Sequence, residues 1–142
     1  MLELMPTKET DKCLATELGR LEILADRLEA FVPTPECQFD MEIWECGTAA
    51  CAVGLACQIP EFNSLGLRLE RTSWGGLIMA SEPVFADHTN WDAVRVFFGI
   101  TLKEAFWLFS EEQYPDDDTT AQEVAARIRT LLAEKRTQQE QI

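Results

Sequence analysis

Cys46-Gly-Thr-Ala-Ala-Cys-Ala-Val-Gly-Leu-Ala-Cys57 is the stretch that decides how this chain folds. From Ala49 to Cys57 it gives nine apolar residues in succession, most of them small. A helix with no polar face must be covered on every side, and small side chains let neighbouring backbones come close. The stretch therefore predicts a buried central helix over 48–58, capped at Gly47 or Thr48 and stopped by Pro60. A helix of about 11 residues spans about 16 Å, enough to serve as the hub of a small domain.

Outward from the hub, the other elements follow from period and punctuation. Leu14, Leu18, Leu21, Leu24, Leu28 and Phe31 recur at spacings of three and four among charges, which predicts an amphipathic helix over 10–31. Pro33 and Pro35 end it, and the next residues form an irregular connection that carries Phe39, Ile43 and Trp44 inward. Leu67-Arg-Leu-Glu-Arg alternates apolar and polar, and Leu77-Ile-Met-Ala follows a turn-like Trp74-Gly-Gly, so a small β-hairpin is expected near 66–80. Thr89 with Asp92, Thr101 with Glu104, and Thr120 with Glu123 have the spacing of capping boxes and mark three helix starts. The first of these helices covers 90–98 and stops at Gly99. The second restarts almost at once, placing Leu102, Ala105, Phe106 and Phe109 on one face. The last covers about 121–135 with Val124, Ile128 and Leu131 inward, and 137–142 is expected to fray. The fold class is mainly α, of the α+β kind: about five helices round a buried centre, with one hairpin, in a single domain over 1–142.

Composition restricts what such a domain does. The 142 residues are 46% hydrophobic and 26% charged, as in an ordinary globular protein. No stretch approaches the ~20 apolar residues of a membrane span, and the first residues lack the basic start of a secretory leader, so a cytoplasmic protein is expected. Five cysteines, an odd number, fit reduced thiols rather than a disulfide framework. The net charge is −13, from 25 acids and 12 bases, and residues 81–118 alone hold nine acids and two bases. Phosphate backbones and anionic membranes repel such a chain, whereas a protein with a basic surface is attracted. The helical corner near Gly99 resembles a DNA-reading corner only in shape, since its second helix carries no basic stripe.

Three blocks of sequence carry a resemblance: Cys-Gly-Thr-x-x-Cys-x-x-Gly-x-Ala at 46–56 after the aromatic lead-in from Phe39 to Trp44, Phe-Gly-Ile-Thr-x-x-Glu-Ala-x-x-Leu-Phe at 98–109, and Val-Ala-x-Arg-Ile at 124–128. The chain resembles a family of small uncharacterised proteins of bacterial, prophage and phage genomes over residues 38–132. The resemblance implies a compact domain carried by a mobile element. It brings no catalytic residue with it.

Cys46 is the sharpest chemical candidate, because unpaired N–H groups at the start of the hub helix stabilise a thiolate. A nucleophile also needs a base, and His88 is the only histidine. The plainer reading makes Cys46 a packed thiol beside a tight turn at Gly47. Cys37, Cys46, Cys51, Cys57 and His88 supply metal-ligand chemistry without the paired spacing of a zinc knuckle, so no metal or other cofactor is expected. With one histidine and no nucleophile elbow there is no Ser-His-Asp set, and the reading leans away from an enzyme. Glu111, Glu112, Asp116, Asp117 and Asp118 form an acidic run without the pattern of a calcium loop. Trp107 lies about 140° round its helix from the apolar face, either under a second layer or as an aromatic anchor beside those acids. The expected function is that of a small acidic protein-binding or accessory protein, such as a mobile-element inhibitor or a factor that imitates DNA. Trp107 and the 111–118 acids would make its contact patch, with thiol or metal chemistry at Cys46 as the alternative.

Overall fold

The computed structural model describes residues 14–35, 37–41, 49–75, 77–115 and 119–140. Helix α1, Glu17–Ala30, starts at a fresh cap: Thr16 is extended and its Oγ1 accepts from the Gly19 N–H at 3.0 Å. The expected helix over 10–31 is therefore interrupted at Thr16, because a side-chain oxygen there competes for the N–H groups of the next turn. Leu21, Leu24, Ala25 and Leu28 are its buried stripe.

The hub is buried as its composition requires, but it is not one long helix. Strand β1, Gln38–Phe39, pairs in parallel with β2, Ala49–Ala50. Cys51 is extended, and helix α2 covers only Ala52–Ala56. The expected helix over 48–58 loses its first turn because Ala49 and Ala50 hydrogen-bond sideways to 38–40, including Asp40 N–H to Ala50 O at 2.9 Å. Ala50, Cys51, Ala52, Val53, Ala56 and Cys57 are all at most 5% exposed. Pro60 ends this helix and also opens another, α3 at Pro60–Leu65, where a missing N–H costs nothing. The Asn63 side-chain amide donates to Cys57 O and Leu67 O, each at 2.8 Å, and so ties the end of α2 to the strand that follows.

Strand β3, Arg68–Trp74, runs antiparallel to β4, Leu77–Phe85, with a register shift at Thr72/Ser73. Strand β5, His88–Thr89, adds a third strand in the order β3-β4-β5, so the expected hairpin is the larger part of a small sheet. Helix α4, Asn90–Phe98, follows directly and ends at Gly99, in the left-handed region at φ +64°. Its start lacks the expected Thr89 and Asp92 box: Thr89 makes no side-chain cap, and the Asp92 carboxylate is taken by His88 and Arg95. Helix α5, Leu102–Phe109, has the full box, with Glu104 N–H to Thr101 Oγ1 at 3.1 Å and Thr101 N–H to Glu104 Oε1 at 2.9 Å. After a 3₁₀ turn at Glu111–Gln113 comes α6, Ala121–Glu140, boxed by Thr120 and Glu123. It continues past the expected fraying point at 137, where Thr137 Oγ1 donates to Ala133 O at 2.9 Å.

Helices α1 and α6 lie antiparallel: Arg129 pairs with Asp26 and Glu29, while Arg136, further along, pairs with Glu22, earlier in α1. Gln122 closes the end of α1 by donating to Phe31 O at 2.9 Å and Leu28 O at 3.2 Å. The core is one cluster reaching from Leu21 to Leu132. Its aromatic centre joins four elements: Phe62 stands edge-on to Phe97 at 5.0 Å, Phe97 meets Phe85 at 5.0 Å, and Phe98 meets Phe109 at 6.0 Å. Among the described residues no helix is long and apolar enough to cross a membrane.

The α4 to α5 corner is held from outside by α1. Arg20 donates to Phe97 O at 2.9 Å and lies 4.7 Å from the Phe97 ring centre. A Cβ placed on Gly99 would come within 2.8 Å of the Glu17 side-chain carbons. Gly99→Ala therefore combines a left-handed backbone penalty of about 1–2 kcal/mol with a steric displacement of α1. It should lower the urea midpoint accordingly, and a midpoint equal to wild type would contradict this packing.

Candidate functional site

The structure separates the thiols into different environments. Cys51 and Cys57 are buried within the hub, at 2% and 5% exposure. Burial pushes the Cys51 thiol up to about 11 and the Cys57 thiol further still, because a thiolate there has lost its water. Neither is poised for attack at neutral pH. Cys37 is half-buried in a narrow turn bridged to Thr34. Cys46 lies outside the described residues, so its relation to His88 is not placed. His88 sits on β5, its Nδ1 hydrogen-bonded to Asp92 Oδ2, while Asp92 Oδ1 receives the Arg95 guanidinium. Arg95 first and His88 second hold the Asp92 carboxyl below the usual carboxylate range. Among the described residues no three of His, Cys, Asp and Glu are gathered to hold a metal.

The aromatic corner of α5 is more distinctive. Trp107 is half-buried beneath Arg127 of α6, whose guanidinium lies 4.9 Å from the Trp107 ring centre and 3.7 Å from that of Tyr114. The same guanidinium donates to Trp107 O at 2.7 Å and Gln113 O at 2.8 Å, so one side chain fixes α5, the 3₁₀ turn and α6 together. Tyr114 is buried and donates to Leu108 O at 2.5 Å, and its burial pushes the phenol well up. Glu111 and Glu112 stand exposed on the 3₁₀ turn, and Asp116, Asp117 and Asp118 lie outside the described residues.

Sequence periodicity placed Leu102 and Phe106 inward, and the structure corrects both. The buried face is Ala105, Leu108 and Phe109, while Leu102 is 45% and Phe106 36% exposed. Six of the eight residues of α5 are apolar, more than one face accommodates, and the helix turns Leu108 inward instead. Trp91 of α4 then packs edge-on against Phe106 at 4.8 Å. This pair was missed, although the surplus of apolar residues on α5 signalled that some must face outward. A cleft of about 720 Å³, which no local sequence pattern marks, is lined by Phe31, Pro33, Phe39, Met41, Thr120 and Gln122 between β1 and the start of α6. Gln122, one of the polar side chains that line it, already caps α1.

Site-resolved alkylation checks the thiols. At neutral pH Cys37 should label in the native protein, and Cys51 and Cys57 only as fast as the chain unfolds. Because the unfolded thiols ionise at lower pH than the buried ones, the unfolded state releases protons first, and stability should fall as pH rises from about 9 toward 11. Rapid native labelling of Cys51 would contradict this burial. No family model matches the chain, and no curated protein or solved structure matches it.

Proposed function

We propose that this chain is a small acidic binding protein, an accessory factor of the kind mobile elements carry, that engages a protein partner with a basic surface. The observation that carries the reading is the juxtaposition on α5 and the turn after it: an outward Phe106, a half-buried Trp107 and the exposed carboxylates Glu111 and Glu112. Aromatic side chains that are already held in place lose little entropy when a partner covers them. Trp107, pinned by Arg127, is such a group. The carboxylates, with Asp116, Asp117 and Asp118 following in sequence, supply long-range attraction that raises the rate of encounter with a basic surface. The net charge of −13 acts in the same sense.

Affinity capture with defined variants tests it. Wild type should retain a salt-sensitive partner that Phe106→Ala, Trp107→Ala, and the five-carboxylate neutralisation to Gln and Asn each weaken by about tenfold or more. Retention of the same partners by all three variants, with native circular dichroism, would overturn this patch.

A further inference from the structure

We propose that two copies of this chain join edge to edge through β3, in one register, to continue the three-stranded sheet across a two-fold axis. Strand β3 is the terminal strand of the order β3-β4-β5, so among the described residues its ladder pairs on one side only. The direction of its backbone groups follows from two features of β4. Pro83 stands opposite Leu69 and has no N–H, so that pair is of the non-hydrogen-bonded kind. The two-residue turn between Phe85 and His88 requires that Phe85 bond toward β5, and alternation then turns Val84 toward β3 and Pro83 away from it. Leu69 and Arg71 accordingly direct their N–H and C=O groups to the outer side, and Arg68 and Glu70 direct theirs to β4.

That parity selects the register. An antiparallel partner must match outward groups to outward groups, so a two-fold axis passes through a residue, never between two. Centring on Arg68, Glu70 or Arg71 sets a charge against its own copy, and centring on Thr72 runs the pairing into the register shift at Thr72/Ser73. Centring on Leu69 pairs Leu69 with itself through two backbone hydrogen bonds and sets Arg68 against Glu70 of the other copy, twice. Arg68 and Glu70 lie on the solvent face, with side chains 55% and 59% exposed, and pair with each other at 3.4 Å. Dimerisation exchanges the two weak local pairs, one in each copy, for two cross-strand pairs between residues directly opposite, so the charges set the register while the Leu69 backbone bonds are the new contacts. In a chain of net −13, β3 carries two bases against one acid, so it is a segment where two acidic copies approach without adding to their repulsion. The ladder is short, because Leu67 N–H and C=O are already held by Phe62 O and Asn63.

Sedimentation equilibrium on the full chain tests this. The weight-average mass should rise with concentration from 16.1 kDa toward twice that value. Arg68→Glu and Glu70→Arg should each abolish the rise, since each sets like charges together, and the double swap R68E/E70R should restore it. Mixing the two single variants should also restore it, because unlike copies are then complementary. Both positions are exposed, so circular dichroism should remain native throughout. A wild-type mass fixed at 16.1 kDa over the whole range, or single variants that associate as wild type does, would overturn the proposal.

Discussion

A five-residue helix without a polar face has no existence in water: nucleation costs more than so few hydrogen bonds return. Helix α2 therefore forms only because other elements close over it, and that requirement organises the rest of the molecule. Its alanines and glycine, with the cysteines that flank it, offer little volume, so neighbouring backbones approach closely and larger side chains fill the space around them. Leu21, Leu24 and Leu28 of α1, the phenylalanines at 62, 97, 98 and 109, and Val124 and Ile128 of α6 belong to the same buried cluster. Both chemistry-bearing thiols of α2 are consumed in this role, Cys51 as the residue before the helix and Cys57 at its end.

Polar groups then fix how the layers sit. Arg20 carries a backbone carbonyl of α4 to α1, Arg127 binds α5 to α6, and Gln122 seals α1 against the start of α6. Each of these bonds reaches a carbonyl at a helix end, where intrahelical donors run out, and each joins segments distant in sequence. The arginines stack on aromatic rings as they donate, which a lysine does not reproduce. Trp107 is thereby pinned, partly buried, under Arg127, whereas Phe106 and Leu102 face outward because Ala105, Leu108 and Phe109 already fill the inner face of α5.

Much of this was legible in sequence where a local rule dominates. Thr101 with Glu104 and Thr120 with Glu123 announced their helices correctly, and Gly99 marked the corner. The burial of 50–57, apart from a half-buried Leu55, followed from composition alone. Its conformation did not, because the short ladder between 38–39 and 49–50 is a long-range pairing that no local period encodes. Thr89 and Asp92 had capping spacing, yet Asp92 found stronger partners in His88 and Arg95, so a charge-assisted interaction overrode a local motif. Pro60 was read as a stop when it is also a start, since proline at a first helical position serves both ends of a tight turn. For the site, the burial of Cys51 and Cys57 was anticipated by their apolar setting, while Cys46 lies outside the described residues. The outward turn of Phe106 was not, because periodicity ranks faces without saying which one the rest of the fold can cover.

The enclosure of the hub is tested most directly by native-state hydrogen exchange at the amides of Leu55 and Cys57, which donate to Cys51 O at 2.9 Å and Val53 O at 3.0 Å. If the whole fold closes over α2, these amides exchange only through global unfolding, with the same free energy and denaturant dependence as core amides of α1 and α6. Exchange through small local openings, well below the global stability and insensitive to denaturant, would show that α2 stands apart from the core and would contradict this account.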